Sequence, residues 1–392
     1  TALIILTADR ESLVGRLLST QLLVSLGLIS YSAYLWHQML FAFARIRLFG
    51  DVSPWVYWVL IIFTFVLARL TWMTIEVPAR KRFKMTRFRI LSGAAAGCLV
   101  IGSIGVGGHL TQGITINNKS VAALSQWKVN ISPKRSECHA RDNSPIAPND
   151  ACVFGGEVSA ERGDIYVWGD SHGVELSYAL AEEVEKEHQV NLVQLTGSQC
   201  IPTPQVESDK ESHCIEHNDR VMKFLSEQAQ PGVVILVARW PLYIIGERVS
   251  HANGCTEGTD FTGRSVVSTN NGDRMDALGE QIRKTIQRLV EAGHRLLFVH
   301  AVPEPGCDVP TTLARKALFK ASKNLTYLID THLKRQDAVI KHIGNFSSSS
   351  VRFYDPTDLF CDQKKRLCFV ANNNRLLHFD NNHPSLYATS LM

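Results

Sequence analysis

The sequence contains no Cys-x-x-Cys and no paired Cys/His cluster, so a zinc site of the usual spacing has no ligands here and no metal is expected. No stripe of Lys and Arg with interleaved aromatics runs through the larger part of the chain, which argues against nucleic acid as a partner. The start shows neither a signal-peptide pattern nor an initiator Met. Thr1-Ala2-Leu3-Ile4-Ile5-Leu6 begins inside an apolar run, so the chain reads as part of a longer protein. Charge is missing from two long stretches: residues 21–44 and 90–109 hold no Asp, Glu, Lys or Arg, and residues 55–75 hold only Arg69. Each is about the ~20 residues that a helix needs to cross a bilayer. Buried helices of a large soluble protein would show the same apolarity, but three such runs in succession, with Trp and Tyr near their ends, favour a membrane.

Charge is also uneven. Residues 1–112 carry 11 Lys/Arg against 4 Asp/Glu, and the remaining 280 carry 30 against 33, so a basic front of +7 precedes a slightly acidic remainder of −3. Six of the positive charges fall within residues 80–89, between the second and third apolar runs. The positive-inside rule places that loop in the cytoplasm and everything beyond about residue 111 on the opposite side. Cysteine usage agrees with that placement. Apart from Cys98, all eight cysteines (Cys138, Cys152, Cys200, Cys214, Cys255, Cys307, Cys361 and Cys368) lie in the part placed outside, where disulfides persist. Pairing of neighbours (138–152, 200–214, 255–307, 361–368) is the simplest arrangement, although eight cysteines allow 105 connectivities.

Three regions follow: a membrane piece over 1–111, a polar linker and lead-in segment over 112–160, and a folded domain over 161–392. In the last, short apolar runs at 165–168, 190–195, 232–238, 294–300 and 351–354 alternate with helical patterns at 174–186, 219–228, 274–292 and 311–332. Continuous apolar strands with helices between them indicate an α/β fold, a parallel sheet covered on both faces. Residues 249–271, rich in Gly, Thr and Ser, read as a long loop or insertion.

Two stretches of the domain carry chemistry. Gly169-Asp170-Ser171-His172 follows the first strand and precedes a helix, where Asp and Ser are ordinary caps but where a serine can also be exposed as a nucleophile beside free helix N–H groups. Near the C-terminus stands Asp380-Asn381-Asn382-His383, good turn composition that also brings a carboxylate and an imidazole together on one turn.

Two resemblances connect these features. Gly27-Leu28-Ile29-Ser30-Tyr31-Ser32-Ala33-Tyr34-Leu35-Trp36-His37, followed by Ile75-Glu76-Val77-Pro78-Ala79-Arg80, resembles the end of the membrane acyltransferase-3 family, multi-helix proteins that move an acyl group from a cytoplasmic acyl-CoA to glycans outside. Gly-Asp-Ser after the first strand and Asp-x-x-His after the last resemble the GDSL/SGNH hydrolases, often fused behind those helices. Together they imply a bacterial inner-membrane protein of several spans, whose C-terminal domain is a three-layer SGNH-like sandwich in the periplasm. They also imply partners: the lipid bilayer, earlier acyltransferase helices of the same protein, and a glycan acceptor such as lipopolysaccharide O-antigen or peptidoglycan. Acetyl-CoA would be the donor at the membrane part, and no cofactor is implied for the SGNH domain. Residue by residue, the resemblance makes Ser171 the nucleophile, His383 its base and Asp380 the group that orients His383. The Ser171 and Gly197 N–H groups become oxyanion donors. The usual Gly-x-Asn-Asp after the third strand is missing; Val237-Ala238-Arg239-Trp240-Pro241 stands there instead, with Arg239 as the candidate third donor. The implied activity is O-acetyl transfer, with two alternatives: a membrane-tethered esterase, or a degenerate module that only binds glycan.

Overall fold

The computed structural model describes residues 12–47, 53–78, 87–110, 119–155, 164–187, 190–208, 213–228, 230–251, 265–266, 274–319, 325–344 and 348–392. The chain divides into two compact units, Thr1–Asn118 and Lys119–Met392.

The first unit is helical. After a short helix α1 (Leu13–Leu18), helices α2 (Gln21–Arg47) and α3 (Pro54–Thr71) pack together in opposite directions, and α4 (Arg87–Leu110) follows. A π-helical turn, Trp72–Glu76, extends α3. The α2–α3 seam is polar at one end and aromatic at the other. Ser32 donates to the Glu76 carboxylate, Trp36 Nε1 donates to Thr71 Oγ1 at 2.8 Å, and the rings of Phe41 and Tyr57 stack at 5.8 Å. Polar groups on an otherwise apolar helix gain most from facing another helix, and Ser32 and Trp36 follow that expectation. Tyr31 and Tyr34 instead lie exposed on the outer face. Of the three expected spans, the described residues contain two helices long and apolar enough to cross a membrane, Pro54–Glu76 and Leu91–Leu110. The first expected span is a continuous helix of 27 residues, but its serines, tyrosines, His37 and Gln38 dilute its hydropathy. Most of the basic loop at 80–89 lies outside the described residues.

The second unit is built on a seven-stranded sheet. Its strands are β1 (His139–Ala140), β2 (Val153–Phe154), β3 (Ile165–Gly169), β4 (Leu192–Gly197), β5 (Val233–Val237), β6 (Arg295–Val299) and β7 (Val351–Tyr354). Five of them run parallel in the order β4-β3-β5-β6-β7, and β1 (parallel) and β2 (antiparallel) both pair with the outer edge of β4. Side chains alternate across the sheet. Tyr166, Trp168, Val234, Leu236 and Phe298 face one layer of helices, α7 (Cys214–Ser226), α9 (Arg274–Glu291) and α11 (Ile329–Ile343). Val167, Ile235, Val237 and Val299 face the other layer, chiefly α6 (Gly173–Glu187) through Leu176. The result is the expected three-layer α/β sandwich. In order of strands the chain goes outward from β3 to β4 and then crosses back to β5. This reversal opens a crevice at the carboxyl ends of β3 and β5, where ligands of doubly wound sheets bind.

Three local expectations change. The helix expected over 311–332 is two helices, α10 (Val309–Leu318) and α11, separated by the strand Thr326–Leu328; that strand pairs with Leu367–Phe369, so a tertiary partner overrides the helical pattern. The stretch expected as a linker is partly built into the second unit. It contributes α5 (Lys119–Gln126), β1 and β2. Most of 249–271 lies outside the described residues, but Ser265–Val266 pairs with Glu207–Ser208. Three of the expected disulfides are present, Cys138–Cys152, Cys200–Cys214 and Cys361–Cys368. Cys307 is disulfide-bonded too, and Cys255 lies outside the described residues. A smaller core of Val309, Tyr327, Phe360, Cys368 and Leu377 supports the C-terminal segment.

Candidate active site

The turn after β3 is confined by the neighbouring strand. A Cβ on Gly169 would lie 2.0 Å from the Val237 carbonyl oxygen, so only glycine lets β3 and β5 close here. Asp170 then locks the turn. Its Oδ1 accepts from the His172 N–H (2.8 Å), and its Oδ2 accepts from the Arg239 N–H (3.0 Å) and the Tyr243 hydroxyl (2.8 Å). Burial and the adjacent Asp170 charge hold the Tyr243 hydroxyl protonated, far above its ordinary range. Asp170 is therefore more than a helix cap. It ties the β3 turn to the start of α8 (Trp240–Ile245).

That scaffold leaves Ser171 facing a cleft of about 500 Å³. Its Oγ lies 2.8 Å from His383 Nε2, and His383 Nδ1 lies 2.7 Å from Asp380 Oδ2. Residues separated by more than 200 positions thus form one hydrogen-bonded line. The backbone N–H groups of Asn382 (2.9 Å) and His383 (2.8 Å) both donate to Asp380 Oδ1. Burial alone would raise the Asp380 pKa, but the charge of His383 and these hydrogen bonds hold it well below the usual carboxylate range.

A second contact joins the two turns. His172 Nε2 lies 2.9 Å from Asn382 Oδ1, and since an amide oxygen only accepts, Nε2 carries the proton. Burial, then the charge of His383, pushes the His172 pKa down to about 4, so the ring stays neutral. On its other side His383 stacks on Phe379 (5.3 Å between centroids), and Arg135 lies over the Phe379 ring. Arg135 in turn reaches both oxygens of the buried Glu175 at 2.6 Å.

The expected oxyanion groups are arranged as follows. The Ser171 N–H, just ahead of α6, has no acceptor among the described residues. Gly197 ends β4 and is packed tightly, since a Cβ there would lie 2.9 Å from His217 Cδ2. Its neighbours Ser198 and Gln199 line the cleft. Arg239 lines it as well, with Nε and a terminal nitrogen bonded to the buried Glu304. Burial alone would raise the Glu304 pKa, but Arg239 and Arg335 bring it down to about 2. Asn218 lies behind the cleft wall, on the strand side of α7. It is buried inside α7, accepting from Trp168 Nε1 (3.0 Å) and donating to the Ile201 carbonyl (2.9 Å), so it is a strut between strand and loop.

Sequence reasoning missed Tyr243, Glu304, His139, and the roles of Asp170, His172 and Asn382. Of these, Asp170, His172 and Asn382 carried a signal, because each adjoins a motif residue. Among the described residues, Cys200, His213 and Cys214 come close enough to suggest a metal, but the two cysteines are bonded to each other.

A doubly wound sheet with a serine–histidine–aspartate line at its carboxyl edge is the arrangement of an α/β fold built for serine-based chemistry. The chain belongs to the family of SGNH domains fused to acyltransferase-3 domains, whose model matches residues 137–392. Among solved structures, the periplasmic domain of a lipopolysaccharide acetyltransferase from Salmonella ser. Paratyphi A is similar over 69% of this chain and 93% of its own, at 17% identity and a TM-score of 0.46. No curated protein matches the chain.

Proposed function

We propose that the chain is the C-terminal part of an O-acyltransferase, in which the second unit passes an acyl group, acetyl in the simplest case, through Ser171 to a hydroxyl of a periplasmic or cell-surface glycan. The observation that carries this reading is the Ser171–His383–Asp380 line in an open cleft, in a family fused to membrane acyltransferases. The disulfides and the basic run at 80–89 support the periplasmic side for the domain. The apolar helices Pro54–Glu76 and Leu91–Leu110 support attachment to the membrane.

The chemistry is a two-step exchange. His383 Nε2 takes the Ser171 proton as Oγ attacks the acyl carbonyl. The bond to the donor breaks, and the leaving group receives that proton. An acceptor hydroxyl then gives its proton to His383 as its oxygen attacks the acyl-serine, and Ser171 Oγ departs with the proton returned. Asp380 holds the ring in the tautomer that can accept from Ser171 and stabilises the imidazolium formed in each step. The Ser171 and Gly197 N–H groups are the oxyanion donors in this reading, and Arg239 lines the cleft as a cationic group held by Glu304. The acyl group reaches Ser171 from an acyl-CoA-derived donor supplied through the membrane part.

The test is to incubate the full chain in detergent with a chromogenic acetyl ester, with and without an oligosaccharide acceptor. Acetylated sugar supports transfer. Acetate release indifferent to acceptor shows an esterase. Absence of turnover, or turnover that survives Ser171→Ala, refutes the assignment of Ser171.

A further inference from the structure

The cleft is lined by a buried imidazole that the triad does not use, His139. It is 2% exposed and lines the cleft beside Ser171 and His383. The strand register explains how it gets there. His139 of β1 lies opposite Thr196 of β4, and Thr196 lies opposite Gly169 of β3. With ~4.8 Å between neighbouring strands, the His139 Cα is about 10 Å from the Gly169 Cα, two residues before the nucleophile. Residues paired across a sheet point to the same face. On this face the Thr196 methyl lies 3.1 Å from where a Cβ on Gly173 would be, so His139 shares the side of the sheet on which α6 begins. That helix start also bears the Ser171 N–H.

Thr196 Oγ1 accepts from Gln194 Nε2 at 2.9 Å and lies 3.0 Å from His139 Nδ1. With the Thr196 hydroxyl hydrogen directed at Nδ1, the neutral ring carries its proton on Nε2. Burial, followed by the charges of Arg135 and Arg141, holds the His139 pKa well below that of an ordinary histidine. The ring is thus a fixed neutral donor. The segment bearing it is anchored by the Cys138–Cys152 disulfide and the Arg135–Glu175 ion pair.

We propose that His139 contacts the substrate, its Nε2–H donating to the carbonyl oxygen of the acyl group at Ser171 and following that oxygen into the tetrahedral intermediate. This rests on the acyl-serine reading above and adds a side-chain donor on the β4 side of the nucleophile, where Arg239 is already engaged by Glu304.

The experiment compares the full chain in detergent with three variants, using a chromogenic acetyl ester for kcat and KM and an alkylboronic acid as a tetrahedral mimic bound to Ser171. In His139→Ala, kcat falls about 10²-fold with KM within about twofold, and boronate affinity falls in parallel, as for loss of one oxyanion donor. His139→Gln, which keeps a neutral N–H, recovers at least a tenth of the wild-type kcat. Thr196→Val, which frees the ring, lowers kcat about 3–10-fold, also in step with boronate affinity; it decides the matter if His139→Ala melts well below the wild type. An unchanged kcat, a loss confined to KM, or a kcat loss without weaker boronate binding overturns the proposal. So does an effect limited to the partition between sugar and water, which would place His139 on the acceptor. If the wild-type chain neither turns over the ester nor binds the boronate, the acyl-serine reading fails first and the role of His139 fails with it.

Discussion

Replacing Asp380 by Asn isolates what the carboxylate does, because shape is kept while charge and hydrogen-bonding sense change. In the native turn Oδ1 accepts two backbone N–H groups, at 2.9 and 2.8 Å, and Oδ2 faces His383 Nδ1 at 2.7 Å. An amide placed here must keep its oxygen toward the two N–H donors, which turns its NH₂ toward Nδ1. Nδ1 is then forced to accept, so the neutral ring carries its proton on Nε2, the atom that has to take the proton of Ser171. The lost charge matters as well. A unit charge about 4 Å from an imidazolium contributes about 4 kcal/mol at an effective dielectric near 20, and ~1.4 kcal/mol is tenfold in rate. The charge alone therefore accounts for about 10³-fold, and the wrong tautomer extends the expected loss toward about 10⁴-fold in kcat, the size known for the same change in a serine triad. The assay is ester turnover by Asp380→Asn against the wild type, with thermal melts to show that both are folded. A loss below tenfold in a folded variant, or full activity regained on raising the pH, would refute the reasoning, since neither wrong tautomer nor missing charge is repaired by alkali.

Gly197→Ala places a methyl 2.9 Å from the His217 ring and is expected to lower the melting point, by about 1–3 kcal/mol of overpacking; a double variant with His217→Ala should recover most of that stability, measured by thermal melts. Glu304→Ala leaves buried Arg239 without its carboxylate and should cost about 3–5 kcal/mol, read from denaturant unfolding. Acid stability follows from buried histidines. Burial lowers His172, His217, His332 and His378 to about 4 in the folded chain from an ordinary 6.5, so the unfolded chain binds more protons between those values. Their contribution is present above about pH 6.5 and is lost as pH falls toward 4. The melting point should drop steeply through that window, and His332→Gln should flatten the drop; a melting point that holds from pH 6.5 to 4 contradicts it.

What the sequence determined by itself was whatever depends on local pattern. Apolar runs alternating with helical patterns specify β3, β5, β6 and β7 to within about a residue at each end, and the central strands β3 and β5 are apolar because both their faces are covered. The pairs Cys138–Cys152, Cys200–Cys214 and Cys361–Cys368 were legible from sequence proximity, since short loops close most easily. Ser171 and the Asp380–His383 turn were legible because each sits in a short motif. Tertiary structure alone decided the rest. The strand Thr326–Leu328 exists because Leu367–Phe369 pairs with it, not because of its own propensity. Asn218, a polar residue within α7, is buried as a strut under Trp168. His139 stands within an unremarkable polar stretch, and only the register of β1 on β4 carries it to the cleft. The distance between Ser171 and His383 is likewise a property of the fold. Two turns 212 residues apart in sequence meet because β3 leads into the crevice of the sheet, while His172 and Asn382 join one turn to the other.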